Sequence, residues 1–413
     1  MTGKGLFGSW SDVVLIDGAR TPFVDFNGAL ADVSPIDLGI KAGRAAIAKS
    51  GLPAGDIGSV ICGSMAQASF DAFMLPRHVG LYCGAPRETP AHLVQRVCGT
   101  GIELVAQAAD TISLKRADLA LCVGAESMSR NPVAAYTHRS GFRMGQVEFR
   151  DFLWEALMDT GVGCNMGDTA ENLARRNGIS RAEVDAFAAR SFERALAARA
   201  RGFLDGEIVP VVNETFEREG MKPRGLRLRG KEATVAEDSH VRPSPLDVLA
   251  KLRPAFGGVQ TGGNSSAIVD GAAGVLIASA DYAKSRGVKP LASVRAWASV
   301  GVPPEIMGIG PVPAIATMCE RAGVPLASID RFEINEAFGA QVLACARDLG
   351  LDEGKLNVNG GAIAIGHPLG ATGVRLTLTL ARELADKGLR YGVASACIGG
   401  GQGVALLIEN ARS

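Results

Sequence analysis

The sequence predicts an α/β protein made of two related halves with a loop-rich insertion, and three observations predict it. Strand-like and helix-like apolar patterns alternate along the chain. Segments near the two ends match at one fixed spacing. Glycine supplies 52 of the 413 residues, far above the usual level of about 7%, with no G-X-Y period or low-complexity tract. That excess points to tight turns and close backbone packing rather than disorder.

Taken in order, Val13–Ile16 is a short apolar strand and Ile36–Lys49 has helical spacing. Val60–Cys62 and Leu119–Val123 are strand-like, with a helix over Ile102–Lys115 between them. Gly167–Arg176 and Arg181–Ala200 are helical, the second opened by Ser180 with Glu183 three residues on, a capping box. Tyr391–Ser395 and Val404–Ile408 are the last strands. The repeat lies across these elements. Ser50-Gly51-Leu52-Pro53 followed by Ile57 recurs as Ala322-Gly323-Val324-Pro325 followed by Ile329, an offset of 272. Thr100-Gly101-Ile102 and Thr372-Gly373-Val374 open helices at that offset, and the strands after them, from Leu119 and Tyr391, agree with it. Expected domains are therefore 1–124 with about 256–288, an insertion over 125–255, and 289–413.

Lys and Arg total 43 and Asp and Glu total 43, which argues against a surface that tracks phosphates and so against nucleic acid as a partner. No apolar run approaches the roughly 18 residues of a membrane helix. Met1 to Asp12 lacks the charged-apolar-small order of a signal peptide. The eight cysteines form no C-x-x-C pair and sit in apolar segments, pointing to reduced thiols in a cytoplasmic setting without a disulfide frame or zinc site. Phe216 to Lys231 mixes charges of both signs and is expected as a solvated loop.

Four segments carry chemistry. In Val97-Cys98-Gly99-Thr100-Gly101-Ile102 a cysteine precedes an amphipathic helix, whose dipole and orphan N–H groups favour thiolate. A free cysteine is more often a small buried hydrophobe. Asn359 to Gly373 sets His367 between Gly366 and Pro368 on a glycine-rich turn, a fixed position that suits a base, though a lone histidine is commonly structural. A dinucleotide reading of those glycines fails on spacing. Ser395 to Gly403 holds Cys397 at a strand end, with glycines whose N–H groups suit an oxyanion site or an ordinary bend. Glu333 to Phe338 places polar residues where a strand ends, including Asn335, and such residues also cap helices.

Together these motifs closely resemble the thiolase family, the 3-oxoacyl-CoA thiolases and acetyl-CoA acetyltransferases. The resemblance runs from Ile16–Pro22 to the C-terminus and includes Gly124-Ala125-Glu126-Ser127-Met128-Ser129, Met166 to Asn172, and Leu252-Arg253-Pro254-Ala255-Phe256. It implies duplicated α/β halves in five αβαβα layers with an inserted loop domain. It also implies that Cys98 is the acylated nucleophile, that His367 lowers its proton affinity, and that Cys397 is a second acid/base thiol. Asn335 would hold a water that forms one oxyanion hole with His367, and the N–H groups of Cys98 and Gly399 would form the other. The family pattern for coenzyme A maps onto Arg242, Phe256 and Ser266, with Leu153, Met166 and Ala337 along the pantetheine tunnel. Ser266 is also compatible with turn chemistry, and Arg242 with an ordinary surface role.

The implied activity is the exchange of 3-oxoacyl-CoA plus CoA with acyl-CoA plus acetyl-CoA, with CoA as co-substrate and no tightly bound cofactor. A homodimer or homotetramer is implied, and Arg139–Phe149 loosely resembles the tetramer-forming loop of some members. Three residues depart from the pattern: Gln95 for asparagine, Gly262 for alanine, and Asn165 where short-chain biosynthetic members often carry histidine. The last points to a broader or longer acyl chain. Two other readings remain on the same fold. A decarboxylating 3-oxoacyl synthase would pair one cysteine with two histidines, or with a histidine and an asparagine. A non-catalytic acyl-CoA-binding scaffold would be expected to lose a catalytic side chain.

Overall fold

A computed structural model of the chain describes residues 5–66, 69, 71–136 and 138–411. Its main sheet holds β1 (Leu6–Ser9), β2 (Val13–Arg20), β3 (Val24–Asp25), β4 (Ser59–Gly63), β5 (Ala91–Val94), β6 (Leu119–Glu126), β7 (Val269–Ser279), β8 (Ala292–Gly301), β9 (Arg331–Ile334), β10 (Tyr391–Ile398) and β11 (Gln402–Asn410). The larger helices are α1 (Pro35–Ser50), α2 (Leu75–Tyr82), α3 (Thr100–Ser113), α4 (Met166–Asn177), α5 (Arg181–Ala200), α6 (Pro311–Ala322), α7 (Gly339–Leu349) and α8 (Leu369–Lys387).

The strand order β9-β10-β11-β8-β2-β7-β6-β4-β5 contains the duplication. In the first half, β2 and β7 are antiparallel, as are β7 and β6, whereas β6, β4 and β5 run parallel. In the second, β8–β11 and β11–β10 are antiparallel and β10–β9 is parallel, with Leu356 bridging to Phe332 where a third parallel strand would lie. Across the sheet the halves meet where Leu15 pairs with Ala292 and Val14 with Ser293, and where β1 pairs along β8. Helices α3 and α8 pack on each other and on strands of both halves. With α1 and α2 outside the first half and α6 and α7 outside the second, the layers run αβαβα.

Local chemistry explains the repeat. Ser34 caps α1 by accepting from the Ile36 N–H, and Pro35 supplies a pre-set φ at its first turn. Gly51 then ends α1 at φ 68°, and its counterpart Gly323 ends α6 at φ 67°, the left-handed conformation that a side chain resists. At the centre, a Cβ on Gly101 would stand 2.6 Å from the Gly373 nitrogen, and one on Gly373 would stand 2.2 Å from that of Ile102. Glycine therefore faces glycine across the α3–α8 crossing.

The expected elements form, with longer edges. β6 continues to Glu126 because Gly124 and Ala125 stay fully buried against β7. The predicted helix to Lys115 stops at Ser113, and Lys115 takes φ 56°. The segment from Phe216 is not simply a solvated loop. Glu214–Phe216 and Arg224–Leu226 form a small hairpin whose Phe216 and Leu226 are fully buried, so its apolar ends anchor a charged tip. Among the described residues no helix is long and apolar enough to cross a membrane, and all eight cysteines are free thiols.

Candidate active site

Cys98 sits at the turn into α3, two residues before its first residue. Val97 takes φ 43°, a costly conformation for a β-branched residue, and the hydroxyl of Thr100 holds the turn. It accepts from the Arg96 N–H at 2.9 Å and donates to the Val97 carbonyl at 2.7 Å. Gly99 leaves room there for Ile398, which would lie 2.5 Å from an added Cβ.

His367 lies between Gly366 and Pro368, just before α8, and is 5% exposed. Its Nδ1 is 2.6 Å from the Thr372 hydroxyl, and that hydroxyl is 3.1 Å from the Pro368 carbonyl. A hydroxyl has one proton to give. Donating it to Pro368 leaves Thr372 to accept from Nδ1–H, so Nε2 keeps its lone pair. Nε2 lies 3.3 Å from Nδ2 of Asn335, which follows β9 and is fully buried. The Oδ1 of Asn335 has no hydrogen-bond partner among the described residues. Burial, aided by the Arg375 charge, pushes His367 down to about 3, so the imidazole rests neutral.

Burial also decides the state of the thiols. It pushes Cys98 up to about 11, against the N–H groups of Gly399 and of Cys98 itself, which point at the sulfur and favour thiolate. The expectation from the helix terminus alone is therefore corrected: the donors are present, but desolvation wins and the resting group is a thiol. Cys397, at the end of β10 and fully buried, is raised well above its ordinary value by burial and by the neighbouring Cys98. Two neutral thiols and a neutral imidazole thus share one apolar enclosure.

That enclosure opens into a cavity of about 250 Å³ lined by Cys98, His367, Met166, Phe256, Ser266 and Ala337 among others. Cys397 packs with Met307 and Ala337, which line it. Leu153 lies behind the lining, in a cluster with Cys98, Met65, Met128 and Leu369. Gly399 faces Met166, whose sulfur would stand 3.2 Å from an added Cβ. Arg242 does not line the cavity; it is exposed, with Nη1 3.1 Å from Nδ1 of His240. Asn165 lines the wall but spends its side chain capping α4, where Oδ1 accepts from the Asp168 N–H at 3.0 Å.

Neither Glu333 nor Glu336 caps α7, the helix that follows them. Glu333 pairs with Arg375 at 3.0 Å, and Glu336 accepts from Ser191, Asn357 and the Ile363 N–H, fastening the loops behind Asn335. Sequence reasoning missed Thr372 as a partner of His367, although a hydroxyl in the first turn of the following helix was a signal for it. It also missed Ser265, which lines the cavity and whose buried hydroxyl has no partner among the described residues.

Comparison with known proteins agrees with this geometry. The family model for the thiolase N-terminal domain matches residues 13–281, and that for the thiolase C-terminal domain matches 288–410. The mitochondrial 3-ketoacyl-CoA thiolase of Homo sapiens is 42% identical over 402 residues, 96% of this chain and 98% of that one. The Beta-ketothiolase BktB of Cupriavidus necator is 40% identical over 402 residues, 96% of this chain and 99% of its own length. The crystal structure of human mitochondrial 3-ketoacyl-CoA thiolase in complex with CoA superposes with a TM-score of 0.91 at 41% identity, covering 97% of this chain and 98% of that chain. Matched by both domain models in turn and by full-length relatives, the chain belongs to the thiolase family.

Proposed function

We propose that this chain catalyses reversible, CoA-dependent thiolysis of 3-oxoacyl-CoA to acyl-CoA and acetyl-CoA, or the reverse condensation, through an acyl-enzyme on Cys98. The observation that carries the proposal is the placement of an unprotonated His367 Nε2 in one enclosure with two protonated thiols. In thiolysis, Nε2 takes the Cys98 proton as the sulfur bonds to C3. The N–H groups of Cys98 and Gly399 favour negative charge at that sulfur, which supports a role in stabilising the oxyanion that develops on the attached carbon. The C2–C3 bond then breaks with its electron pair left on C2. The acetyl-CoA enolate so formed is held at His367 and a water on Asn335, and Cys397 gives its proton to C2. The Cys397 thiolate then takes the proton of incoming CoA, whose sulfur displaces Cys98 from the acyl group, and His367 returns its proton. A thioester intermediate stays level in energy with CoA thioesters, so the cycle runs both ways.

Coenzyme A is co-substrate rather than resident cofactor in this scheme. Met166, Phe256, Ser266 and Ala337 contact its pantetheine arm, Leu153 backs that wall, and Arg242 at the surface meets its phosphates. The working units are 1–124 with about 256–288, the insertion 125–255, and 289–413. The free thiols support a reducing, cytoplasmic setting. A homo-oligomer is supported by the exposed apolar side chains Met144, Val147 and Phe149 on the insertion.

The test is intact-mass and peptide mapping after exposure to acetoacetyl-CoA without free CoA. An acetyl adduct on Cys98, discharged by CoA, is expected. An adduct on Cys397 reverses the two thiol roles. No adduct on any thiol of the folded protein, with 3-oxooctanoyl-CoA also inert, favours a binding scaffold.

A further inference from the structure

The repeat gives the active site a counterpart in the other half. At the offset of 272, Cys98 corresponds to Gly370, Asn335 to Gly63, and Ala337-Phe338 to Met65-Ala66. A carboxylate occupies that second place. Glu126, at the end of β6 and 2% exposed, accepts from the N–H groups of Gly370 at 2.9 Å, Met65 at 2.8 Å and Ala66 at 3.2 Å, and from the Ser64 hydroxyl at 3.0 Å. Four donors match the four lone-pair sites of a carboxylate. Gly370 lies in the first turn of α8, a helix of 19 residues whose dipole adds to the attraction. Its N–H is the counterpart of the Cys98 N–H. In the catalytic half the place of Glu126 is taken by Ile398, so no side-chain anion is supplied there.

We propose that Glu126 is a positioning residue whose carboxylate permanently fills the second anion cradle of the duplicated fold and ties the base to the nucleophile. One end of the tie is Gly370, three residues beyond His367 on the same helix start. The other is the Ser64–Ala66 loop, whose Met65 packs in the cluster around Cys98. A glutamine cannot replace it, because its amide turns donors toward donors and leaves backbone N–H groups buried without partners. The inference goes beyond the proposed reaction and rests on it only for the kinetic readout.

Chemical rescue tests it. Wild type, Glu126→Gln and Glu126→Ala are compared for thiolysis of acetoacetyl-CoA and for melting temperature, in sodium formate and in sodium chloride of equal ionic strength. We expect Glu126→Gln to fold with kcat lowered at least about tenfold and KM within about twofold, as for a misplaced rather than missing catalytic group. In Glu126→Ala, formate restores kcat saturably and raises the melting temperature by about 2 °C, while chloride does neither and wild type is unmoved. Wild-type kcat in Glu126→Gln overturns the proposal, and so does a formate effect on Glu126→Ala no greater than that of chloride. If Glu126→Ala folds only in formate, the cradle is supported. A wild type that turns over no substrate defeats the reaction proposed above instead, and the melting arm still decides this one.

Discussion

The hydroxyl of Thr372, 2.6 Å from Nδ1 of His367, fixes which imidazole nitrogen carries the proton. Its counterpart at the same offset, Thr100, holds the turn of Cys98 with an equivalent hydroxyl. One threonine position thus serves the proposed nucleophile and the proposed base in the two halves. Replacing Thr372 by valine keeps its shape and removes the acceptor, so the tautomer with Nε2–H becomes accessible and Nε2 no longer takes the thiol proton. The expected result is a fall in kcat of about 10- to 100-fold with KM little changed, and near-wild-type kcat in Thr372→Ser. NMR of ¹⁵N-labelled histidine reads the tautomer directly. A wild-type His367 protonated on Nε2 would contradict the assignment.

Acid is expected to destabilise the protein through His367. In the unfolded chain this histidine titrates near 6.5, whereas burial holds it at about 3 in the fold. Between those values the unfolded chain binds a proton that the folded chain refuses, so stability falls as pH drops through that window. Asp270 opposes the trend, because burial raises it to about 6 and protonation favours its folded form. Comparing melting temperatures of wild type and His367→Asn at pH 7 and pH 5 isolates the histidine. The drop should be smaller in the variant; an equal drop would mean that His367 is not held neutral by burial.

The glycine crossing gives a sharper stability prediction. Gly101→Ala and Gly373→Ala each drive a methyl into backbone within 2.6 Å, which no rotamer relieves, and each should cost about 3 kcal/mol or more. Gly262→Ala is the contrast. Its added Cβ meets nothing within 4 Å and its φ is not positive, so that variant should gain about 0.4–1 kcal/mol by restricting the unfolded chain. Denaturant unfolding curves of the three variants decide both points.

Acyl-chain preference follows from the cavity wall. Asn165 has its side chain committed to the cap of α4, and the lining about it includes Met128, Trp154, Leu157 and Leu369. Longer apolar acyl groups therefore meet apolar surface. Across 3-oxobutanoyl-, 3-oxohexanoyl- and 3-oxooctanoyl-CoA, which differ by two methylenes at each step, kcat/KM should stay within about tenfold, the low end of what one methylene is worth. A steep fall beyond the four-carbon substrate would refute this.

Much of this molecule was legible because its chemistry is carried by short local motifs. Gly51 and Gly323 announce the repeat since a left-handed helix end favours glycine, even though Lys115 adopts that conformation after α3. Cys98 and His367 stand out since a thiol at a helix entry and a histidine between glycine and proline are positions set by neighbours in sequence. The protonation of Cys98 was not legible. Its burial comes from Met65, Met128, Leu153 and Leu369, which only the fold assembles, and a dipole argument made from the helix alone pointed the other way. Nothing in its own motif singles out Glu126, because its four donors come from segments far apart in the chain. Phe216 was hidden among charges for a related reason: composition describes the tip of a hairpin and not what its base packs on.

The strand order also governs how the chain matures as it is made. In the second half only a tight turn separates β10 from β11, the strand that lies between β10 and β8, so β11 finds β10 as soon as it is made. In the first half the strand that must lie between β2 and β6 is β7, and residues 127–268 are synthesised before it. Until Val269–Ser279 leaves the ribosome, the inner edges of Val13–Arg20 and Leu119–Glu126 stand unpaired, both strands rich in buried apolar residues. At roughly 5–20 residues per second, that exposure lasts many seconds. The nascent first half is therefore the stage at which this chain leaves apolar strand edges open longest.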